Sequence, residues 1–133
     1  MSSLIAEIAQ ISEGQEPIVA TAIHDGHELR PEIAELIALP EAGRLREEDP
    51  YTGVWTSIVT TQIVARRSRF EVDLNRPRDK AVYRTPADAW GLELWPGDLP
   101  ADAVERSLEE YDAFYAEACL LYTSDAADDS VLV

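Results

Sequence analysis

The chain has 133 residues, with 26 acidic side chains against 11 basic ones, a formal net charge of −15 and a pI near 4.3. That length holds one domain or part of one, and an apolar share of 46% is enough for a core. So acidic a chain argues against a nucleic-acid binder, whose affinity rests on Lys and Arg, and against docking to an anionic membrane surface.

In chain order, Leu4, Ile5, Ile8 and Ile11 fall at helical spacing and predict a short helix or arm within Ser2–Gln15. Gly14 and Pro17 punctuate it. The β-branched run Ile18–Ile23 predicts a buried, parallel strand, which ends in the polar loop His24-Asp25-Gly26-His27. Pro31 opens a helix over Pro31–Leu39, with Ile33, Leu36 and Ile37 on one face, and Pro40 closes it. Glu41–Glu48 is charged and helix-prone, and Asp49-Pro50-Tyr51-Thr52-Gly53 is a turn.

Thr56–Ala65 is rich in Ile, Val and Thr and reads as a strand, with a helical start left open. Phe70-Glu71-Val72-Asp73-Leu74 alternates apolar and acidic residues, the pattern of a half-buried strand. Ala81–Leu99 is a long connection carrying Tyr83, Trp90 and Trp95, which either line a pocket or fold over the core. Pro100–Ala118 is the clearest helix: Val104, Leu108, Tyr111, Phe114, Tyr115 and Ala118 form one face, with Glu105, Glu109 and Glu110 opposite.

The run Cys119-Leu120-Leu121-Tyr122-Thr123-Ser124-Asp125-Ala126-Ala127-Asp128 breaks that pattern. It resembles the translated read-through of a transposon-type sequencing adapter, with an ordinary acidic tail as the alternative. The expected organisation is an arm over 1–16, part of one domain over 17–118, and a non-native tail over 119–133. No apolar run approaches the ~18–20 residues of a membrane span, and no leader marks a signal peptide. The one cysteine, Cys119, fits a reducing compartment, so the cytoplasm is the expected location. No signal sets an oligomeric state.

The two histidines, His24 and His27, sit three residues apart after the first strand. Strand ends are where open α/β sheets place their sites, and neutral imidazole is a common zinc ligand; the alternative is two surface histidines. Glu47-Glu48-Asp49 is either a solvated helix end or the carboxylate share of a metal site. Arg66, Arg67, Arg69 and Arg76 crowd into eleven positions of an acidic chain. Arg69 and Arg76, with Asn75 between them, suit a carboxylate-bearing substrate, since a guanidinium matches a carboxylate with two parallel bonds. Pairing with Glu71 and Asp73 is the alternative; Asp73 would then orient Arg69 or Arg76. No phosphate loop, dinucleotide motif, nucleophile elbow or CxxC is present.

Pro17–Gly26, Arg46–Thr52 and above all Ser68-Arg69-Phe70-Glu71-Val72-Asp73-Leu74-Asn75-Arg76-Pro77 resemble the N-formylglutamate amidohydrolase family over about residues 17–118. The resemblance implies a partial three-layer α/β/α sandwich of the zinc carboxypeptidase and aspartoacylase type. It implies one divalent zinc ion and hydrolysis of the amide of an N-acyl amino acid such as N-formylglutamate. His24 matches the family's histidine after the first strand, and Asp49 or Glu48 its acidic motif. Asn75-Arg76 resembles the Asn-Arg pair with which the aspartoacylase-like relatives grip the substrate carboxylate, with Arg69 as an expected helper. Asp25 and His27 depart from the family's pattern, so His27 competes with Asp49 as a ligand. The family's later histidine and catalytic acid have no match here, and the chain alone is expected to have little activity. The competing readings are a carboxypeptidase- or aspartoacylase-like hydrolase of another substrate, and a non-enzymatic acidic binding domain. The expected partner is a small-molecule carboxylate, with no nucleic acid and no membrane.

Overall fold

The computed structural model describes residues 4–122 and 129–132. Its element order is α1 (Leu4–Ile8), β1 (Ala9–Ser12), β2 (Ile18–Ala22), α2 (Pro31–Leu36), α3 (Glu41–Glu47), a 3₁₀ turn (Thr52–Ile58), β3 (Thr61–Ala65), α4 (Ala101–Tyr122) and β4 (Asp129–Leu132). The protein is mixed α/β, as its sequence predicts.

One sheet has the order β1-β3-β2-β4. β2 runs parallel to both β3 and β4, with Thr21 opposite Ile63 and Leu132, while β1 closes the far edge antiparallel to β3. A strand flanked on both sides and covered by neighbours needs no polar face, which is why Ile18–Ala22 reads as a continuous run of branched and small residues. β3 is half-covered and alternates buried with half-buried residues.

The main core gathers Val19, Ile23, Ile63, Val72, Leu74, Val104, Phe114 and Leu121, and α1 packs against α4. A second cluster holds Phe70, Tyr83, Ala89 and Leu94, with Ile37, Leu39 and Trp95 against it. No described helix is long and apolar enough to cross a membrane.

Four expectations change. Ser2–Gln15 holds the expected short helix, α1, but this hands over at Ala9 to a strand, β1, whose residues Ala9–Ser12 pair with Ala65–Gln62. Thr56–Ala65 divides, its first residues finishing the 3₁₀ turn and only Thr61–Ala65 pairing as a strand. Phe70–Leu74 is a turn, with the Glu71 amide donating to the Ser68 carbonyl at 3.0 Å and the Asp73 amide to that of Ala81 at 2.7 Å. All five of its residues are buried, so the alternation separates two internal surroundings, one apolar and one ionic, rather than core from water. Glu110, placed on the solvent face of α4, is buried as well.

Of the adapter-like run, Cys119–Tyr122 completes α4 with Cys119 exposed, and 123–128 lie outside the described residues.

Candidate metal and carboxylate site

Loop 24–30, which follows β2, carries both histidines. Glycine at position 26 is dictated by close approach: an added Cβ would lie 2.2 Å from the Arg67 carbonyl oxygen. Just beyond, the Glu28 amide donates to the Arg66 carbonyl at 3.0 Å and the Ser68 amide to that of Glu28 at 2.8 Å. The histidine loop is thereby laid along the arginine segment. The acidic turn is fastened to the same loop, the Asp49 amide donating to the His24 carbonyl at 3.2 Å and the Gly53 amide to Asp25 Oδ1 at 3.0 Å. Three stretches far apart in sequence meet by backbone contacts, and their side chains follow.

Asp73 is the centre of the arrangement, 1% exposed. Its Oδ1 lies 2.6 Å from His24 Nε2 and accepts the Asn75 amide at 2.8 Å. Its Oδ2 accepts the Tyr83 hydroxyl and Arg69 Nη2 at 3.2 Å, with Arg76 Nε at 3.6 Å. Burial alone would raise this carboxyl, but the hydrogen bonds from His24, Tyr83 and the Asn75 amide outweigh it and hold the group well below the usual carboxylate range. Asp73 is therefore an anion that only accepts.

This fixes the ring of His24: Nε2 carries the proton donated to Asp73, and Nδ1 faces the other way. Asp49 Oδ2 stands 3.4 Å from Nδ1. Zinc bonds of ~2.0–2.2 Å at a tetrahedral angle separate two donors by about 3.4 Å. A buried carboxylate behind the histidine, holding its outer nitrogen, also matches the usual support of a metal-binding imidazole. His24 and Asp49 fit a divalent ion as a pair. Among the described residues, no group of three or more His, Cys, Asp or Glu side chains could hold a metal ion.

His27 and Glu48 are drawn into a different network. His27 Nδ1 lies 2.6 Å from Glu48 Oε1, while Arg44 brackets the same ring, its Nη1 3.2 Å from Nδ1 and its Nη2 3.3 Å from Nε2. Glu48 Oε2 accepts from Arg44 at 2.9 Å and from the Ser68 hydroxyl. Glu41 Oε1 also stands 3.2 Å from His27 Nε2, so both ring nitrogens already have partners within the protein. The role the geometry gives Glu48 is a tie, clamping the acidic turn to the residue that precedes Arg69.

Arg69 reaches both halves of the site: its Nη1 is 3.8 Å from Asp49 Oδ2, its Nε donates to the Tyr83 hydroxyl at 3.2 Å, and its guanidinium lies 4.9 Å from the Trp90 ring centre. Arg76 stacks 4.3 Å from the ring centre of Tyr83. Asn75 is exposed, and the contact that anchors it is its backbone amide on Asp73. Trp90, half exposed and at φ 42°, donates its indole N–H to Glu47 at 2.7 Å and so pulls the 81–99 connection over the acidic turn. Trp95 instead anchors that connection, donating to the Tyr83 carbonyl at 2.8 Å.

The residues that sequence reading undervalues are Tyr83 and Ser68. A tyrosine in a long loop and a serine before an arginine carry no local sign of their partners.

A family model described as N-formylglutamate amidohydrolase matches residues 16–118. Neither a curated protein nor a solved structure matches the chain.

Proposed function

From the premise that the chain belongs to the N-formylglutamate amidohydrolase family, we propose that it serves zinc-dependent hydrolysis of the amide bond of an N-acyl acidic amino acid, releasing the free amino acid and a carboxylic acid. The observation that carries this reading is the shared rim of the site. Asp49 Oδ2 lies 3.4 Å from His24 Nδ1 and 3.8 Å from Arg69 Nη1. A metal-facing pair and a carboxylate-gripping arginine then stand within one substrate length.

His24 and Asp49 would hold the ion. When bound, such an ion supplies Lewis-acid polarisation of the amide carbonyl and activation of water. The chain's own residues do the rest. Asp73 accepts the Nε2–H of His24 and so turns Nδ1 toward Asp49. Arg69 and Arg76 present guanidinium groups to the substrate carboxylate, held by Asp73 and by the rings of Trp90 and Tyr83. Asn75 adds a directional amide at the exposed edge. The same reading places the domain in the three-layer α/β/α zinc carboxypeptidase type. It takes a small carboxylate as the partner rather than nucleic acid or membrane, and the cytoplasm as the compartment.

Calorimetric titration of the full chain with N-formyl-L-glutamate, in the presence of zinc, tests the substrate class. Binding of the dicarboxylate, at least about tenfold tighter than that of N-formyl-L-glutamine, agrees with this reading. Equal affinity for both points to a carboxypeptidase- or aspartoacylase-like hydrolase of another substrate. The two-donor character of the described metal site favours one second reading, a non-enzymatic acidic binding domain. Absence of any zinc-dependent ligand binding selects it.

A further inference from the structure

Tyr83 is fully buried, and its phenol ring belongs to the Phe70, Tyr83 and Trp90 aromatic trio, with ring centres 5.8–6.1 Å apart. Ring packing alone would be served by phenylalanine. The hydroxyl is what the surroundings use. Asp73 can only accept and a guanidinium can only donate, so one proton assignment satisfies both contacts: the Tyr83 O–H donates to Asp73 Oδ2, and its oxygen accepts Arg69 Nε–H at 3.2 Å.

That hydroxyl is the joint between the two halves of the site. On one side is Asp73, whose other oxygen holds His24. On the other is Arg69, whose remaining contacts are Nη2 on Asp73 at 3.2 Å, Nη1 near Asp49 at 3.8 Å and the stack on Trp90. The fork of a guanidinium is useful only when its plane is fixed. Beside the Nη2 contact and the stack on Trp90, the Nε contact adds a second hydrogen bond that sets the plane. A hydrogen bond at that second point also draws the Asp73 carboxylate toward the arginine and fixes the Oδ1 that His24 uses.

We propose that Tyr83 is a positioning residue, whose one hydroxyl sets the plane of Arg69 and the orientation of Asp73, and so couples the carboxylate grip to the histidine of the metal pair. This rests on the reading of Arg69 and His24 given above, although the contact itself exists without any ligand. Arg76 lies over the face of the Tyr83 ring and 3.6 Å from Asp73 Oδ2, whereas the described hydrogen bond to the Tyr83 hydroxyl oxygen comes from Arg69.

The test starts with the unliganded full chain. Its ¹⁵N–¹H spectrum in the arginine Nε region should contain a slowly exchanging signal that vanishes in Arg69→Lys. In Tyr83→Phe that signal should exchange at least about tenfold faster, as expected when a buried hydrogen bond is lost, and the His24 ring nitrogens should shift. Binding of N-formyl-L-glutamate in the presence of zinc should then weaken about tenfold, the size of one hydrogen bond to a charged group. A folded Tyr83→Phe variant with unchanged Arg69 exchange and His24 shifts overturns the proposal. Should the variant not fold, the parent decides: a slowly exchanging Tyr83 hydroxyl proton with a cross-peak to Arg69 Hε supports it, and absence of that signal contradicts it. A changed spectrum in a chain that binds neither zinc nor N-formyl-L-glutamate upholds the contact and overturns the hydrolase reading instead.

Discussion

His24 and Asp73 are 49 positions apart in the chain and meet through a hydrogen bond of 2.6 Å. That bond chooses the tautomer of His24 and turns Nδ1 toward Asp49. Asp73→Asn keeps the shape and an acceptor oxygen but removes the charge. Zinc affinity is expected to fall about 10–100-fold, the usual cost of losing the carboxylate behind a metal-binding histidine. Calorimetric titration with zinc, with circular dichroism to confirm the fold, checks this. An unchanged affinity would mean the tautomer is set elsewhere.

Arg69→Lys keeps the charge but loses the planar fork and the stack on Trp90. Affinity for N-formyl-L-glutamate should drop about tenfold. Arg78→Lys is the matched control, since Arg78 sits in an exposed pair with Asp112, 2.8 Å apart. It should leave affinity within about twofold, as exposed pairs contribute little.

Gly26 is the point where the histidine loop touches the arginine segment. Gly26→Ala places a methyl group 2.2 Å from the Arg67 carbonyl and 2.5 Å from the Arg66 carbonyl carbon, so backbone must move. We expect destabilisation of about 4 kcal/mol or more. Gly97→Ala meets nothing within 4 Å and should be neutral, or stabilising by up to about 1 kcal/mol. Urea unfolding of the two variants beside the parent measures the difference.

A second buried network predicts a pH dependence. Arg30 Nη1 lies 2.5 Å from Glu110 Oε2 and 3.2 Å from Glu71 Oε2, with the Ser107 hydroxyl at 3.1 Å, and Arg67 approaches Glu71 to 3.5 Å. Burial, and then the neighbouring Glu71, push Glu110 up from 4.5 to about 8. The folded state therefore binds a proton that the unfolded state has already released between those values. Its stabilisation is full below pH 4.5 and is lost as pH rises through about 8. The urea midpoint should fall across that window, and Glu110→Gln should flatten the slope. A parent whose stability rises from pH 5 to pH 8 with the same slope as the variant would contradict this.

Much of the fold is legible in the chain because its cues are local. Ile18–Ala22 is a central strand, Pro31 starts a helix, Pro40 separates two, and the α4 stripe from Val104 to Ala118 needs only periodicity. The site is half legible. His24, Asp49, Arg69 and Arg76 do converge, whereas His27 and Glu48 pair with each other and with Arg44 of α3. The Phe70–Leu74 alternation misleads for a related reason. Period two assumes that acidic residues face water, and here Glu71 meets Arg30 and Asp73 meets His24 and Tyr83 inside the protein. Each partner is more than eight residues away, and no local pattern announces it.

In the proposed site His24, and not His27, would face a zinc ion together with Asp49. Zinc titration of the parent, His24→Ala and His27→Ala tests it most directly. His24→Ala is expected to lose zinc binding, while His27→Ala retains it within about threefold, because the His27 imidazole is engaged by Glu48 and Arg44. Loss of zinc with His27→Ala and its retention with His24→Ala would assign the ion to His27 instead.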